Sequence, residues 1–421
     1  MLIGQGSHET KLTESDVKAL CAGAFEQKDL DGKRVLCIIP DHSRTAPIDI
    51  LFRVVYRLLS ARVKALDFMI ALGTHPPMSA EAIYERVGIT ATEHRSTYPL
   101  VRFYNHQWKK ADQLTCIGTI TGDHVADLSG GMMHRDVDIT INKRIFDYDL
   151  LMIIGPTFPH EVVGFSGGNK YLFPGISGEE ILNMFHWLGA LITNPGIIGH
   201  KYTPVRQLVD LAAAMVPVER YCISLVVKGL DLVGMYIGSP EEAWKAAAEL
   251  SDKVNIIYKD CPFQSVLSHA PEMYDDLWTG GKCMYKLEQV VADGGELIIY
   301  APHINEVSVT HGHIIEEIGY HVLDYFTRQK ERFRHIPGGI RAHSTHVKGI
   351  GTFEEGIEKP RINVILATGI SREVCNKINL GYKDPESLRI EDYMNREEEG
   401  ILYVPKAGEI LYRLRDNPLN F

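Results

Sequence analysis

Short apolar segments, each followed by a polar turn and then by an amphipathic helix, recur along the chain and constrain its fold. Arg34–Pro40 is one such segment, and Ala65–Leu72 is the next. Continuous apolar runs of this length are typical of strands that are buried on both faces of a sheet. Because the helical patterns Ile48–Ala61 and Ser79–Val87 follow the two runs, the sequence predicts βαβ units and therefore an α/β fold with mainly parallel sheets.

The alternation resumes in the second half of the chain, where the helical pattern Leu277–Val291 precedes the apolar run Glu296–Ala301. A length of 421 residues exceeds what one compact core usually accommodates. The pattern gives way to Pro, His and Ser near Cys261–Met273, which indicates a domain boundary. We therefore expect two α/β domains, residues 1–270 and 271–421, with an active-site cleft between them. Further helices are predicted over Leu12–Gln27, Pro204–Met215, Pro240–Val254 and Ser371–Ile378, and further strands over Thr115–Thr121, Val137–Ile141, Arg220–Val227, Val254–Tyr258, Ile362–Ala367 and Ile401–Val404.

The composition excludes several classes of function. A net charge of −10 supplies no extended basic surface, so we expect no nucleic acid partner. The seven cysteines are scattered and include no CxxC pair, which argues against a disulfide framework or a thiolate metal site. The first sixteen residues lack the features of a signal peptide, and no apolar run is long enough to span a bilayer. We expect a cytoplasmic protein with no membrane partner.

A glycine-rich turn between two histidines is the most distinctive motif. His160 precedes the turn Gly164–Gly168, Lys170 ends it, and His186 follows within a helical pattern. Glycines let the backbone approach an anion closely, and a lysine at the end of such a turn is either a counter-charge or a nucleophile. On the residues alone, a strand-to-helix turn with a solvated lysine and two ordinary histidines remains an alternative.

The string PHEVVGFSGGNK, with a histidine sixteen residues after its lysine, closely resembles the signature of the lactate racemase family. Members of that family are 2-hydroxy acid racemases and epimerases that use a nickel-pincer nucleotide. The resemblance implies that Lys170 is the covalent anchor of this cofactor, that His186 binds the nickel ion and that His160 transfers protons. It also assigns Gly167 and Gly168 to cofactor binding and makes residues 1–270 the cofactor-binding domain.

A polar cluster, DHSRTAP, begins at Asp41 directly after the first predicted strand. The carboxyl end of such a strand is where open α/β sheets bind ligands. The residues alone leave open that Asp41 caps the helix that follows. The cluster also resembles a D-x-T/S-R motif of the family, which assigns Asp41 and Arg44 to nucleotide binding or to organisation of the site.

Two further positions compare with the family. In its members an arginine that binds the substrate carboxylate follows the histidine of the turn at His75, and here Pro76 holds that place. Since proline carries no charge, the carboxylate must bind elsewhere, and we do not expect lactate to be the preferred substrate. Asn105-His106 resembles the second acid/base position, which pairs His106 with His160. A structural histidine beside an aromatic residue is the alternative for His106.

The C-terminal half supplies the expected substrate contacts. WTGGK, which ends at Lys282, aligns with a family segment that carries a tyrosine, a glutamine and a substrate-binding lysine. Lys282 matches that lysine, and Thr279 replaces the glutamine; a solvated lysine at a helix start is the alternative. The polar segment around Arg341 and Lys348 lacks the family's shielding tryptophan, and either cation could hold the carboxylate. We expect Lys282, Arg341 and Thr279 to bind substrate in a roomy, hydrogen-bonding pocket.

The resemblance implies a chemistry that avoids an unstable carbanion. A pyridinium carbon of the cofactor takes hydride from the α-carbon while a neutral imidazole takes the hydroxyl proton, and hydride returned to the other face gives the epimer. We expect a 2-hydroxy acid other than lactate, such as a sugar acid, as substrate, and cofactor-biosynthesis enzymes as partners. A cofactor-free binding protein for sugar acids or phosphorylated small molecules is the alternative. A nicotinamide-dependent dehydrogenase is disfavoured, because DHSRTAP does not match GxGxxG.

Overall fold

A computed structural model describes residues 1–416, which form two compact units, each assembled from separate stretches of the chain. The first unit comprises Met1–Phe158, Phe165–Leu182 and Pro204–Val254. The second unit comprises Pro159–Gly164, Asn183–Thr203 and the chain from Asn255 onward. Both units are α/β with mainly parallel sheets, so the predicted fold class is confirmed.

The first unit contains helices and strands in alternation. Its strands are Ile3–Gly6, Arg34–Pro40, Ala65–Ala71, Phe103–Asn105, Leu114–Ile120, Val137–Asn142, Leu150–Pro156, Glu219–Lys228 and Asp231–Gly238. Its helices are Glu14–Glu26, Ile48–Leu59, Ala80–Val87, Ala91–Ser96, Gly122–Ser129, Pro204–Ala214 and Pro240–Val254. The division between the units falls inside the short strand Gly164–Phe165 and inside the helix Glu179–Ile192.

One seven-stranded sheet forms the centre of the first unit. The strand order is Ile3–Gly6, Asp231–Gly238, Glu219–Lys228, Leu150–Pro156, Arg34–Pro40, Ala65–Ala71 and Phe103–Asn105. Asp231–Gly238 pairs antiparallel with both neighbours, and the pairs from Glu219–Lys228 onward are parallel. Leu114–Ile120 and Val137–Asn142, which correspond to two of the predicted strands, form a separate antiparallel pair.

The strand Arg34–Pro40 shows why its sequence is apolar throughout. All six positions after Arg34 are buried. Val35, Cys37 and Ile39 belong to one core cluster with the helix Ile48–Leu59, and the side chains between them point to the opposite face. Burying a large apolar side chain contributes roughly 1.5 to 3 kcal/mol. A strand covered on both faces therefore shows no polar alternation.

The second unit is also α/β. Its strands are Pro159–His160, Ile256–Lys259, Phe263–His269, Val291–Ala301, Gly351–Glu354, Ile357–Pro360, Asn363–Thr368, Gly381–Tyr382, Ile401–Val404 and Leu411–Leu414. Its helices are Asn194–Ile197, Leu277–Gly280, Lys282–Tyr285, Gly312–Ile318, Leu323–Thr327, Lys330–Phe333, Gly338–Lys348 and Arg372–Lys377. A five-stranded parallel sheet has the order Gly381–Tyr382, Asn363–Thr368, Val291–Ala301, Phe263–His269 and Ile401–Val404.

The predicted domain boundary near residue 270 requires correction. Phe263–His269 lies between Val291–Ala301 and Ile401–Val404 in the second sheet, and a boundary at residue 270 would detach this strand from both neighbours. The second unit instead begins its long continuous stretch at Asn255. Polar residues alternate with apolar ones in FQSVLSH, which weakened the strand pattern there.

The predicted helix Leu277–Val291 is also wrong in part. The structure has two short helices, Leu277–Gly280 and Lys282–Tyr285, and the next strand already begins at Val291. Two consecutive glycines lie where the helices meet, and glycine costs conformational entropy inside a helix. None of the helices described within residues 1–416 is long and apolar enough to cross a membrane.

Candidate active site

Polar residues that follow three neighbouring parallel strands gather at one edge of the first unit's sheet. Asp41, His75 and His106 each lie within a few residues of the carboxyl end of their strand. The three strands are adjacent in the sheet. Because open parallel sheets bind ligands at this edge, the arrangement marks a candidate site.

Asp41 and His75 form a buried pair at this edge. Nδ1 of His75 lies 2.5 Å from Oδ2 of Asp41, and the hydroxyl of Ser43 donates to Oδ1 at 2.7 Å. Burial opposes ionisation of Asp41, but His75, Ser43 and Arg44 outweigh it and hold the pKa of the carboxyl far below its usual value. A carboxylate accepts only, so in the neutral ring Nδ1 of His75 carries the hydrogen and Nε2 carries the lone pair.

The loop that carries Asp41 lies near the residue that follows Lys170. Burial raises the pKa of the Tyr171 phenol, and the charges of Arg44 and Asp41 act on the same group. Arg86 braces the loop by donating to the carbonyl of Arg44 at 2.9 Å. The structure thus brings the predicted residues Asp41 and Arg44 together with the lysine-bearing turn.

The glycines of that turn are required by their surroundings. Gly167 and Gly168 have φ angles of 86° and 56°, which L side chains rarely adopt. A Cβ at Gly167 would lie 2.4 Å from the hydroxyl oxygen of Thr157, and a Cβ at Gly168 would lie 2.8 Å from Cβ of Trp244. The Thr157 hydroxyl is buried without a hydrogen-bond partner among the described residues. Both glycines are therefore required because other parts of the protein pack directly against the turn.

The buried side chain of Arg206 stabilises the turn through hydrogen bonds to its carbonyl groups. The guanidinium of Arg206 donates to the carbonyls of Phe165 and Gly167 and stacks on Trp244 at 4.1 Å from the ring centroid. The indole of Trp244 donates to the carbonyl of Ser166 at 2.9 Å. Burial lowers the pKa of Arg206 to about 10, so the group stays charged at neutral pH.

We expect the substitution Arg206→Met to lower the free energy of unfolding by about 3 kcal/mol, because it leaves buried carbonyls of the turn unpaired. The measurement is the first urea unfolding transition of the purified protein. The matched control is Arg95→Met on an exposed helix position, where we expect a change within about 0.5 kcal/mol. Equal stabilities of the two variants would contradict this interpretation of Arg206.

Asn169, which directly precedes Lys170, is held by a polar network. Its amide group donates to Asp210 at 2.9 Å and to Glu241 at 2.8 Å. Its carbonyl oxygen accepts from Arg220 at 2.9 Å. With both ends of the side chain bonded, the backbone that presents Lys170 has a defined position.

His106 is enclosed by its own unit. It is 1% exposed, its Nε2 donates to the carbonyl of Ser177 at 2.9 Å, and its Nδ1 accepts from Asn142 at 3.3 Å. Burial lowers the pKa of His106 to about 4. Both ring nitrogens are therefore already used, which favours the structural alternative for this residue over the predicted proton-transfer role.

In the second unit, His160 is 4% exposed and has a defined tautomer. The backbone N–H of Val162 donates to its Nδ1 at 3.0 Å. Since Nδ1 accepts, the neutral ring carries its hydrogen on Nε2. Its environment differs from that of His75, where the lone pair is on Nε2.

His186 lies in the helix Glu179–Ile192 and belongs to a group of titratable side chains in the second unit. The charges of His186 and Glu161 act on the buried imidazoles of His343 and His346. Within residues 1–416, no group of three or more His, Cys, Asp or Glu side chains is arranged to hold a metal ion.

Arg341, one of the predicted substrate cations, contacts the helix that carries His186. Its guanidinium lies over the ring of Trp187, the next residue in the chain, at 4.3 Å from the centroid. Its Nε is buried without a hydrogen-bond partner among the described residues, and burial lowers its pKa. A stacked guanidinium retains its outer N–H groups for a carboxylate.

The other residues that were predicted to bind substrate contact side chains or backbone groups of the second unit. Lys282 is 4% exposed, and its ammonium lies 4.6 Å from the ring centroid of Tyr274. The hydroxyl of Thr279 lies 2.9 Å from a carboxylate oxygen of Asp276, the N-cap residue of its short helix, so the structure gives Thr279 a capping role. The ammonium of Lys348 donates to the carbonyl of Asn379 at 2.6 Å.

Sequence reasoning missed His75 and Arg206. The turn at His75 was compared with the family only for the missing arginine, and its proximity to Asp41 depends on the pairing of two strands. A polar residue directly after a predicted parallel strand is the signal that could have found it. Arg206 lies inside an amphipathic helix, and no local pattern distinguishes it from a surface arginine.

Comparison with known proteins identifies a family model and two proteins that are similar to this chain. Residues 18–196 match the family model described as the lactate racemase N-terminal domain. Lactate racemase from Thermoanaerobacterium thermosaccharolyticum is 24% identical over 309 residues, which cover 70% of this chain and 67% of that protein. Lactate racemase from Lactiplantibacillus plantarum is 24% identical over 282 residues, covering 64% and 60%.

Two solved structures share the fold. A crystal structure of a Thermotoga maritima protein is 32% identical, covers 96% of this chain and 99% of its own, and has a TM-score of 0.88. The lactate racemase apoprotein from T. thermosaccharolyticum is 18% identical, covers 98% and 100%, and has a TM-score of 0.71. The chain is similar to lactate racemases. The fold is α/β, and the similarity to lactate racemases supports a racemase or isomerase.

Proposed function

We propose that this protein is a racemase or epimerase of a 2-hydroxy acid and that it uses a nickel-pincer nucleotide attached to Lys170. The observation that carries the proposal is the glycine turn before Lys170, which is followed by Tyr171, a residue on whose phenol the charges of Asp41 and Arg44 act. Gly167 and Gly168 admit no Cβ, and Lys170 follows them at the edge of a parallel sheet. This is the place where α/β proteins bind nucleotides.

The residues present fit such a cofactor. The unpartnered hydroxyl of Thr157 and the backbone of the glycine turn would bind its phosphate, and Asp41 and Arg44 would organise this region. Lys170 would form the covalent bond, and His186 would supply the imidazole ligand to nickel. An imidazole nitrogen is among the donors that suit nickel. When bound, the cofactor supplies a carbon that takes up hydride and gives it back.

Two histidines of opposite tautomer would transfer the protons. His75 has its lone pair on Nε2 because Asp41 holds the hydrogen on Nδ1, so it is suited to accept the proton of the substrate hydroxyl. His160 has its hydrogen on Nε2 because Nδ1 accepts from Val162, so it is suited to return a proton. We therefore propose that His75, in place of His106, transfers protons, the role also proposed for His160.

The substrate carboxylate needs a cation, since Pro76 cannot supply one. Arg341 meets this need best among the predicted residues, because its guanidinium is stacked on Trp187, the residue after His186, and its Nε has no hydrogen-bond partner among the described residues. A guanidinium binds a carboxylate through two parallel hydrogen bonds. Lys282 would contribute positive charge from the same unit.

The proposal is tested by co-expression with cofactor-making enzymes, followed by inversion of single-enantiomer 2-hydroxy acids in D2O. We expect the inverted product to retain its α-hydrogen, because hydride transfer does not exchange it with solvent. The measurement is proton NMR of the product. Deuterium at the α-carbon would indicate direct proton abstraction, and absence of inversion by nickel-loaded protein would contradict the racemase proposal.

A further inference from the structure

Two buried histidines, one turn apart on the helix Gly338–Lys348, each have one ring nitrogen without a hydrogen-bond partner among the described residues. His343 is 7% exposed, and His346 is 4% exposed. The unpaired atoms are Nδ1 of His343 and Nε2 of His346. Buried polar atoms are nearly always hydrogen-bonded, and residues three apart share a helix face, so these two atoms point to a ligand.

Hydrogen-bond partners show that both unpaired nitrogens are acceptors. Nε2 of His343 lies 2.9 Å from the carbonyl oxygen of Trp278 and must donate, which leaves the lone pair on Nδ1. Nδ1 of His346 lies 2.5 Å from Oδ1 of Asn194, whose amide group donates to Glu288 at 2.7 Å. The hydrogen of His346 is therefore on Nδ1 and the lone pair on Nε2.

The surroundings keep these imidazoles in place and neutral. Trp278 stacks on His343 with 4.1 Å between ring centroids and an interplanar angle of 11°. Tyr320, whose hydroxyl is also buried without a partner, lies 5.7 Å from His343 between centroids. Burial lowers the pKa of both histidines to about 3, so they add no positive charge at neutral pH.

The cluster lies close to the proposed reaction centre of its unit. The charge of His186 acts on both His343 and His346, and Arg341 is on the same helix. A substrate bound beside His186 would extend its remaining carbons toward these two imidazoles. Those carbons would meet two hydrogen-bond acceptors and one hydroxyl.

We propose that Nδ1 of His343 and Nε2 of His346, together with the hydroxyl of Tyr320, bind hydroxyl groups on the carbons beyond C2 of a polyhydroxylated 2-hydroxy acid. This inference rests on the proposed function. Hydroxyl groups donate to acceptor nitrogens, whereas a methyl group leaves them unpaired. A second carboxylate would place its lone pairs against theirs. Sugar acids are therefore the preferred substrate class, and lactate and malate are disfavoured.

The first experiment compares substrates with the cofactor-loaded enzyme. The series is lactate, glycerate, D-gluconate and malate, which differ in the number of distal hydroxyl groups and in a second carboxylate. We expect kcat/KM for D-gluconate to exceed that for lactate by at least about 100-fold, because a site built to bind hydroxyl groups rejects analogues without them. Faster inversion of lactate or malate than of D-gluconate would overturn the subsite and leave the racemase proposal intact.

The second experiment changes the acceptor. His343→Phe keeps a ring against Trp278 but removes Nδ1, and we expect it to lower kcat/KM for D-gluconate by roughly tenfold to a hundredfold with little effect on lactate. His343→Asn places an amide oxygen near the same position and is expected to restore part of the loss. His303→Phe, at a partly exposed position of the same unit outside the cluster, is the control. An equal loss for both substrates would indicate a merely structural role.

Titration calorimetry separates failure of this inference from failure of the proposed function. If nickel-loaded protein inverts none of the acids, D-gluconate is titrated into the wild type and the His343→Phe variant. Binding by the wild type that the variant loses would support the hydroxyl subsite without racemase activity. Equal binding by the two proteins, or no binding by the wild type, would overturn it.

Discussion

The substitution Lys170→Ala is expected to abolish the covalent cofactor adduct and, with it, all inversion of 2-hydroxy acids. The alanine side chain has no amine with which to form the bond, while the surrounding turn is held by Arg206 and by the Asn169 network and should keep its fold. The measurement is the intact mass of protein co-expressed with cofactor-making enzymes. Wild-type protein should carry the added mass of the nucleotide, and the variant should have only the mass of the chain.

Two further variants test whether the loss of the adduct is specific to Lys170. Lys245→Ala, at an exposed position of the helix Pro240–Val254, should retain the adduct. His186→Ala should also retain the nucleotide mass but lose nickel, which is measured by metal analysis, because His186 is proposed as a ligand only. An adduct on the Lys170→Ala protein, or nickel retained by the His186→Ala protein at the wild-type level, would show that the residue is wrongly assigned.

The substitution His75→Asn is expected to lower kcat by roughly 10²- to 10⁴-fold, the usual contribution of a general acid or base. It should leave nickel content and adduct mass unchanged, since His75 is proposed to move a proton and not to bind the metal. Asp41→Asn should lower kcat as well, because an amide at this place can donate to Nδ1 and favour the opposite tautomer. The measurements are steady-state kinetics and intact mass on the same preparations.

His106→Gln provides the comparison that separates the two candidate histidines. His106 is enclosed by Ser177 and Asn142, so its replacement should lower stability more than it lowers kcat of the folded enzyme. A kcat loss of 10²-fold or more in the folded His106→Gln protein, with a near wild-type kcat for His75→Asn, would restore the original assignment of His106.

Much of the fold could be predicted from the sequence because the apolar patterns were local and strong. Arg34–Pro40, Pro240–Val254 and Ile401–Val404 have the predicted bounds. Elements whose residues alternate in polarity or contain glycine were harder to predict. Phe263–His269 contributes to a parallel sheet through pairing with distant strands, and the helix Gly338–Lys348 begins with two glycines and is rich in histidine.

The same distinction between local and distant signals applies to the residues of the candidate site. Lys170, His160 and His186 are close in sequence, so a motif was enough to nominate them. The partner of Asp41 was not predictable locally, because 34 residues separate it from His75 and the contact exists only once the two strands pair. Likewise, the positions of the lone pairs on His343 and His346 follow from the hydrogen bonds that these rings make to oxygen atoms of Trp278 and Asn194. No sequence pattern indicates these contacts.

The discontinuous composition of the two units has a consequence for synthesis on the ribosome. The segments that carry His160 and His186, Pro159–Gly164 and Asn183–Thr203, belong to the second unit but are translated within the first. They leave the ribosome before the sheet of their own unit exists, because its first strand begins only at Phe263. Vectorial folding from the N-terminus can therefore complete the first unit while these two segments still lack their partners, and a truncation after Val254 would leave them so.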